Sequence, residues 1–171
     1  MYRVEDKFRC SENDLRALQA RVDAVLRPNS NQSGMNGYRV TSIYFDDLFD
    51  SYLQDTEDGI RLREKYRIRI YDGSFDTIKL EVKYKKYNRV SKISRTISKD
   101  QMKELIRGNC IEDVEKSLNS PVTLFNLAIC QRGLRPKVIV EYDRKAYIYE
   151  AGNVRITFDR NIRACNRIDN F

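Results

Sequence analysis

Residues 65–99 read KYRIRIYDGSFDTIKLEVKYKKYNRVSKISRTISK, and this stretch sets the fold class. Charged and apolar residues alternate at period two, the repeat of a half-buried strand. The stretch reads as three consecutive strands joined by tight turns. In the first, Arg67, Arg69 and Tyr71 share one face and Ile68 and Ile70 the other. In the second, Lys79, Glu81, Lys83 and Lys85 oppose Leu80, Val82 and Tyr84. An ordinary solvated face mixes Thr, Ser and Gln with its charges. This one is nearly all cationic, a pattern that suits a polyanionic ligand.

Composition narrows the chemistry. The chain has 171 residues and a net charge of +7, which points to an anionic partner and a single domain spanning 1–171. No apolar run nears the roughly 18 residues that cross a bilayer, so no direct membrane span is expected. MYRVEDKF at the start reads as a charged strand and not as a signal peptide. Cys10, Cys110, Cys130 and Cys165 show no CxxC spacing; they read as free core thiols in a reducing, cytoplasmic setting. The absence of histidine removes Ser-His and Cys-His nucleophiles and imidazole bases. Chemistry must then run on carboxylates, cations and an oxygen-ligated metal such as Mg or Mn.

Outward from the hairpins, the N-terminal side offers a strand over Tyr2–Phe8 and a helix capped by Ser11 with Asp14 three residues on. Leu15, Leu18, Val22, Val25 and Leu26 form its apolar stripe. Asn29–Gly37 is a loop, Tyr38–Phe45 a strand, and Asp46 and Asp47 open a short helix to about Asp55. On the C-terminal side, Ser98 caps a helix closed by Gly108. A second is expected over Ile111–Leu118 and a third over Pro121–Arg132. Strands follow at Lys137–Tyr149 and Asn153–Arg160, and the tail NIRACNRIDNF shows no pattern.

Lys7, Arg67, Arg69, Lys83, Lys92 and Arg155 share a parity, whereas the opposite faces are aliphatic and suit packing against helices. The expected fold is therefore α+β, an antiparallel β-barrel with helices outside and cations inside. Two like charges ~8 Å apart repel by roughly 2 kcal/mol at an effective dielectric of ~20. Such a lumen is destabilised by its own charge, and removing Arg67 and Arg69 is expected to leave the fold intact or more stable. Arg144 shares the parity of Val138, Val140 and Tyr142, which pattern alone turns outward; Arg95 falls with Ile93 and Ile97 and needs a bulge to face in.

Several short pieces, in order along nearly the whole chain, resemble the VTC (vacuolar transporter chaperone) domain. This is a polyphosphate polymerase family of the CYTH-like triphosphate tunnel metalloenzymes. The pieces are Glu5-x-Lys7, SIYFDD at Ser42–Asp47, RIRIY at Arg67–Tyr71, LEVK at Leu80–Lys83, SK-x-S at Ser91–Ser94, EYDRKAY at Glu141–Tyr147 and VRITFD at Val154–Asp159. The resemblance implies an eight-stranded tunnel in which the terminal phosphoryl of ATP passes to a polyphosphate chain. Lys7, Arg67, Arg69, Lys83, Arg144 and Arg155 would act on the transferred group. Lys92, Lys79, Lys85 and Arg95 would hold substrate, with Glu5 and Glu81 on Mn or Mg. Partners implied are ATP or another triphosphate and inorganic polyphosphate. Nucleic acid is not expected, because the aromatics fall mostly on the opposite parity from the cations.

Two departures from the family pattern bear on function. Related triphosphatases carry E-x-E-x-K on the first strand, and here the first carboxylate is replaced by Arg3, which argues against hydrolysis. The family pattern also continues to a closing strand with a metal-binding Glu and a further Lys beyond the position of Phe171, so the tunnel is expected to lack that wall. Hydrolysis of a triphosphate and non-catalytic docking of polyphosphate stand as alternatives.

Overall fold

A computed structural model of the chain describes residues 2–28, 37–115 and 117–171; most of the expected Asn29–Gly37 loop lies outside them. The strands are β1 (Arg3–Val4), β2 (Tyr38–Asp46), β3 (Leu62–Tyr71), β4 (Ser74–Lys86), β5 (Arg89–Ile97), β6 (Arg135–Tyr149) and β7 (Val154–Cys165). The helices are α1 (Glu12–Val25), α2 (Ser51–Glu57), α3 (Lys99–Arg107) and α4 (Pro121–Arg132). All seven strands join one antiparallel sheet in the order β1-β5-β4-β3-β2-β6-β7, curled into a half-barrel with the helices outside. Among the described residues β1 and β7 are its two edges. No helix among them is long and apolar enough to cross a membrane.

The outer face carries the core. Ile43, Phe45, Tyr66, Ile68, Ile70, Ile78, Leu80 and Val82 from the sheet meet Met102 and Leu105 of α3 and Val122, Phe125 and Ile129 of α4. Phe125 sits edge-on between Phe45 and Tyr66, with ring centroids 5.3 and 5.1 Å away. α3 and α4 form where expected, each started by a serine that accepts from its first turn and ended by a left-handed glycine, Gly108 and Gly133. The two aspartates of SIYFDD hold the start of α2. Asp46 accepts from the backbone N–H of Tyr52 and Leu53, and Asp47 from those of Phe49 and Ser51. The helix therefore begins four residues later than its aspartates suggest.

Other elements depart from the expectation. The first strand is two residues long because Arg3 pairs with Val90 and Val4 with Arg89. The next partner would be Asn88 in the β4–β5 turn, where the ladder runs out. α1 buries no residue; it is tethered instead by Asp23, which accepts from Lys145 and from the Tyr147 hydroxyl. Ile111–Leu118 is not helical among the described residues. There the Asp113 carboxylate accepts from the Glu115 N–H and from Thr123 and Arg95. The patternless tail is a strand to Cys165, its alternation broken by a bulge at Asn161, which has φ +52° opposite the register shift between Glu141 and Asp143. The cysteines are not core: Cys10, Cys110 and Cys130 are exposed and Cys165 is half-buried.

Candidate functional site

The inner face of the curl is built from the other parity of the same strands. Register puts Tyr44 opposite Arg67, Ser42 opposite Arg69, Arg67 opposite Glu81, and Lys83 between Lys65 and Lys92. At the centre lies Glu81, fully buried with a 1% exposed side chain. One of its oxygens accepts from Nε of Arg67 at 2.6 Å, with Nη2 of the same guanidinium in ion-pair contact at 2.6 Å, and Arg69 approaches that oxygen at 3.8 Å. Its other oxygen accepts from Lys92 at 2.5 Å. Burial pushes the Glu81 carboxyl up, but Arg67, Arg69 and Lys92 outweigh it and hold it at about 2.

Hydroxyls hold the arginines in place. Arg67 donates to the Tyr44 hydroxyl at 3.1 Å; Arg69 donates to Ser42 at 3.1 Å and to the Tyr142 hydroxyl at 3.3 Å. Burial would raise the Tyr44 phenol, but Arg67, Arg69 and Lys65 bring it below its ordinary value. Toward the β4–β5 turn a second group forms. Lys83 donates to Glu5 at 2.5 Å, and Lys65, half-buried, stands across from Lys83. Burial, joined by the charges of Arg63, Lys7 and Lys83, depresses the Lys65 ammonium against the pull of Tyr44. Burial likewise depresses Lys83, with Lys7 and Arg67 adding to it against the pull of Glu5. At both lysines burial is the main cause, and the neighbouring cations add to it.

Each expected site residue has a definite position. Arg67, Arg69, Glu81, Lys83 and Lys92 converge. Glu5 joins them from the chain just past β1, and Lys7 lies exposed beside it, close enough to act on Glu5 and Lys83. Lys79 and Lys85 share the inner parity on either side of Glu81 and Lys83, Lys79 donating to Thr96 at 2.8 Å. Arg144 faces inward, against the outward reading: Val140 and Tyr142 pair with Ser42 and Val40 on the inner side, so their parity is that of the cations. It forms a bidentate pair with Asp159, both bonds 2.7 Å, and its guanidinium lies 5.0 Å from the Tyr142 ring centre. Arg155 shares this face and donates to the Tyr38 hydroxyl at 3.2 Å. Arg95 does not join them. The β4–β5 ladder is unbroken beside it, so it keeps the outer parity and pairs with Asp113 at 2.7 Å.

Sequence reasoning did not single out Lys65, although it lies two residues before Arg67 on the same strand. Tyr71 lies on the inner face as its parity predicts, and Tyr38, Tyr44 and Tyr142 join it, so fewer aromatics are separated from the cations than expected above. Guanidiniums sit against two of these rings, Arg67 5.8 Å from Tyr44 and Arg144 5.0 Å from Tyr142, which leaves less ring surface for stacked bases.

A resident metal fits these residues poorly. Among the described residues no three of Cys, Asp or Glu converge. Both Glu81 oxygens are taken by cations, and a divalent ion there would stand among Arg67, Arg69 and Lys92. Glu5 is shared with Lys83. Phosphate oxygens suit the arrangement better, since Arg offers them paired donors and Lys a compact charge.

Just before β2 the backbone passes very close to β6. Gly37, at φ +85°, lies so close to the Arg144 carbonyl that a Cβ would come within 2.2 Å of its oxygen. Gly37→Ala is therefore expected to cost at least ~2 kcal/mol in urea unfolding, from strain plus displacement of β6. An unchanged midpoint would show that β6 tolerates the shift.

A comparison with curated proteins returns no match. The family model described as the VTC domain matches residues 2–171, and the chain belongs to the VTC domain family.

Proposed function

We propose that the inner face transfers the terminal phosphoryl of ATP onto a polyphosphate chain, releasing ADP. The supporting observation is the convergence of Arg67 and Arg69 of β3 and Lys92 of β5 on one buried carboxylate of the strand between them, with Lys65 and Lys83 next in the row. Family membership supports the same reading. In a loose phosphoryl-transfer transition state charge spreads over the equatorial oxygens, and catalysis is positioning plus charge neutralisation. Arg67 and Arg69, fixed by Tyr44, Ser42 and Tyr142, are preorganised to face those oxygens. Lys83, Lys65 and Lys7 extend the charge toward the β4–β5 turn, where a chain could run. Arg144 and Arg155 flank it from β6 and β7. The attacking oxygen of a phosphate chain is already ionised, so no histidine base is required. Mg or Mn enters this proposal as a companion of the triphosphate, with no step assigned to it.

The test is incubation of the protein with ATP and Mn or Mg, followed by gel separation of phosphate chains. Long chains with stoichiometric ADP are expected. Orthophosphate as the sole product would assign hydrolysis instead. Bound but unchanged ATP over hours would assign docking, a reading favoured by the commitment of Glu5 and Glu81 to lysine and arginine partners.

A further inference from the structure

Away from the inner face, two thiols meet. Cys110, just past the glycine that ends α3, places its sulfur 3.5 Å from that of Cys130 in the last turn of α4. Both residues are exposed. Their approach is built rather than incidental. Asn126 lies one helical turn before Cys130 and so on the same face of α4. Its side chain accepts from the Ile111 N–H at 3.1 Å and donates to the Ile111 carbonyl at 2.7 Å. This two-point clamp fixes the backbone next to Cys110, and the Cys110 sulfur also approaches the Asn126 carbonyl at 3.8 Å. Asp113, two residues on, anchors the same segment to Thr123 of α4 and Arg95 of β5.

We propose that Cys110 and Cys130 are a modification site that closes to an intramolecular disulfide on exchange with a low-molecular-weight disulfide. The sulfurs need to approach by about 1.5 Å to reach bonding distance, a movement that side-chain rotation and small backbone adjustment can supply. Both thiols are exposed, so either can lead, and the electron count is the same with Cys130 first. Its thiolate attacks one sulfur of the reagent, forms a mixed disulfide and expels a thiolate, which takes up the proton Cys130 lost. The Cys110 thiolate then attacks the Cys130 sulfur and expels the second thiol, which takes up the Cys110 proton. The two cysteines lose two electrons and the reagent is reduced to two thiols. The product staples the α3–α4 connection to α4, on the outer side of the sheet.

The experiment uses the full chain, reduced, desalted and incubated with oxidised glutathione. Intact mass and non-reducing peptide maps are followed with time. The expected product has lost two hydrogens, carries a Cys110–Cys130 peptide link, reverts with dithiothreitol and melts roughly 5–10 °C higher. Cys110→Ser should stop at a stable glutathione adduct on Cys130. Asn126→Ala should slow closure at least tenfold while that adduct still forms. Stable adducts on both cysteines of the unaltered chain would overturn the proposal. So would links to Cys10 or Cys165, or disulfide-bonded dimers.

Discussion

Arg67→Ala is expected to destabilise the fold by about 3 kcal/mol and to abolish tight binding of tripolyphosphate at the same time. Cationic repulsion alone would make the protein more stable once an arginine is removed. The position of Glu81 reverses that sign. Its side chain is 1% exposed, and Arg67 gives it a hydrogen bond and a close ion pair, both at 2.6 Å. Breaking a buried pair from one side typically costs 3–5 kcal/mol, because the remaining charge is desolvated without compensation. Lys92 and Arg69 still face Glu81, which puts the cost at the lower end. For a chain of this length that is a fall in melting temperature of roughly 10 °C. Removing Arg69 as well should take the protein close to unfolding. The diagnostic variant is Arg67→Ala with Glu81→Gln: taking away the stranded charge should recover most of the lost stability, while tripolyphosphate binding stays lost. Equal stability of the single and double variants in urea would show that Glu81 does not depend on Arg67.

The legibility of this molecule followed from how local each feature is. The β3–β5 hairpins were readable because strict alternation runs through all three strands, and the aliphatic parity had to meet the apolar helices that follow. The inner cations on those strands came with them. Arg144 was misplaced because its own parity on β6 is the apolar one: Val138, Val140 and Tyr142 look like a core face, opposite Lys137, Glu141 and Asp143, until register with β2 shows that they back the cations. The strand in the tail was hidden by the Asn161 bulge, which breaks the period on which the reading rests. Arg95 carried its own warning in its parity. Its partner Asp113, in a loop 18 residues away, could not be seen from the strand. Glu81 was visible as a carboxylate among lysines. That three cations from two neighbouring strands enclose it, so that it serves as their internal counterion, is a fact of register and burial.

If Glu81 is that counterion, its titration should appear in acid unfolding. Its carboxyl sits at about 2 in the folded protein, against about 4.3 when unfolded. A group depressed by folding contributes stability that is complete above the unfolded value. That contribution fades as pH falls toward the folded value, where the proton binds the native state too. The difference corresponds to about 3 kcal/mol, lost between roughly pH 5 and pH 2. Glu81→Gln should therefore be less stable than the parent by about this amount at pH 7, and the two stability curves should converge near pH 2. Glu5, Asp47 and Asp113 are depressed as well, so only the difference between the two proteins isolates Glu81. The same substitution removes a negative charge from the place a phosphate chain is proposed to occupy. At ~8 Å and an effective dielectric of ~20 this is worth roughly 2 kcal/mol, or some 30-fold tighter tripolyphosphate binding at low salt. Parallel stability curves down to pH 2, together with weaker tripolyphosphate binding, would show that Glu81 is not the charge that holds Arg67 and Lys92 ready.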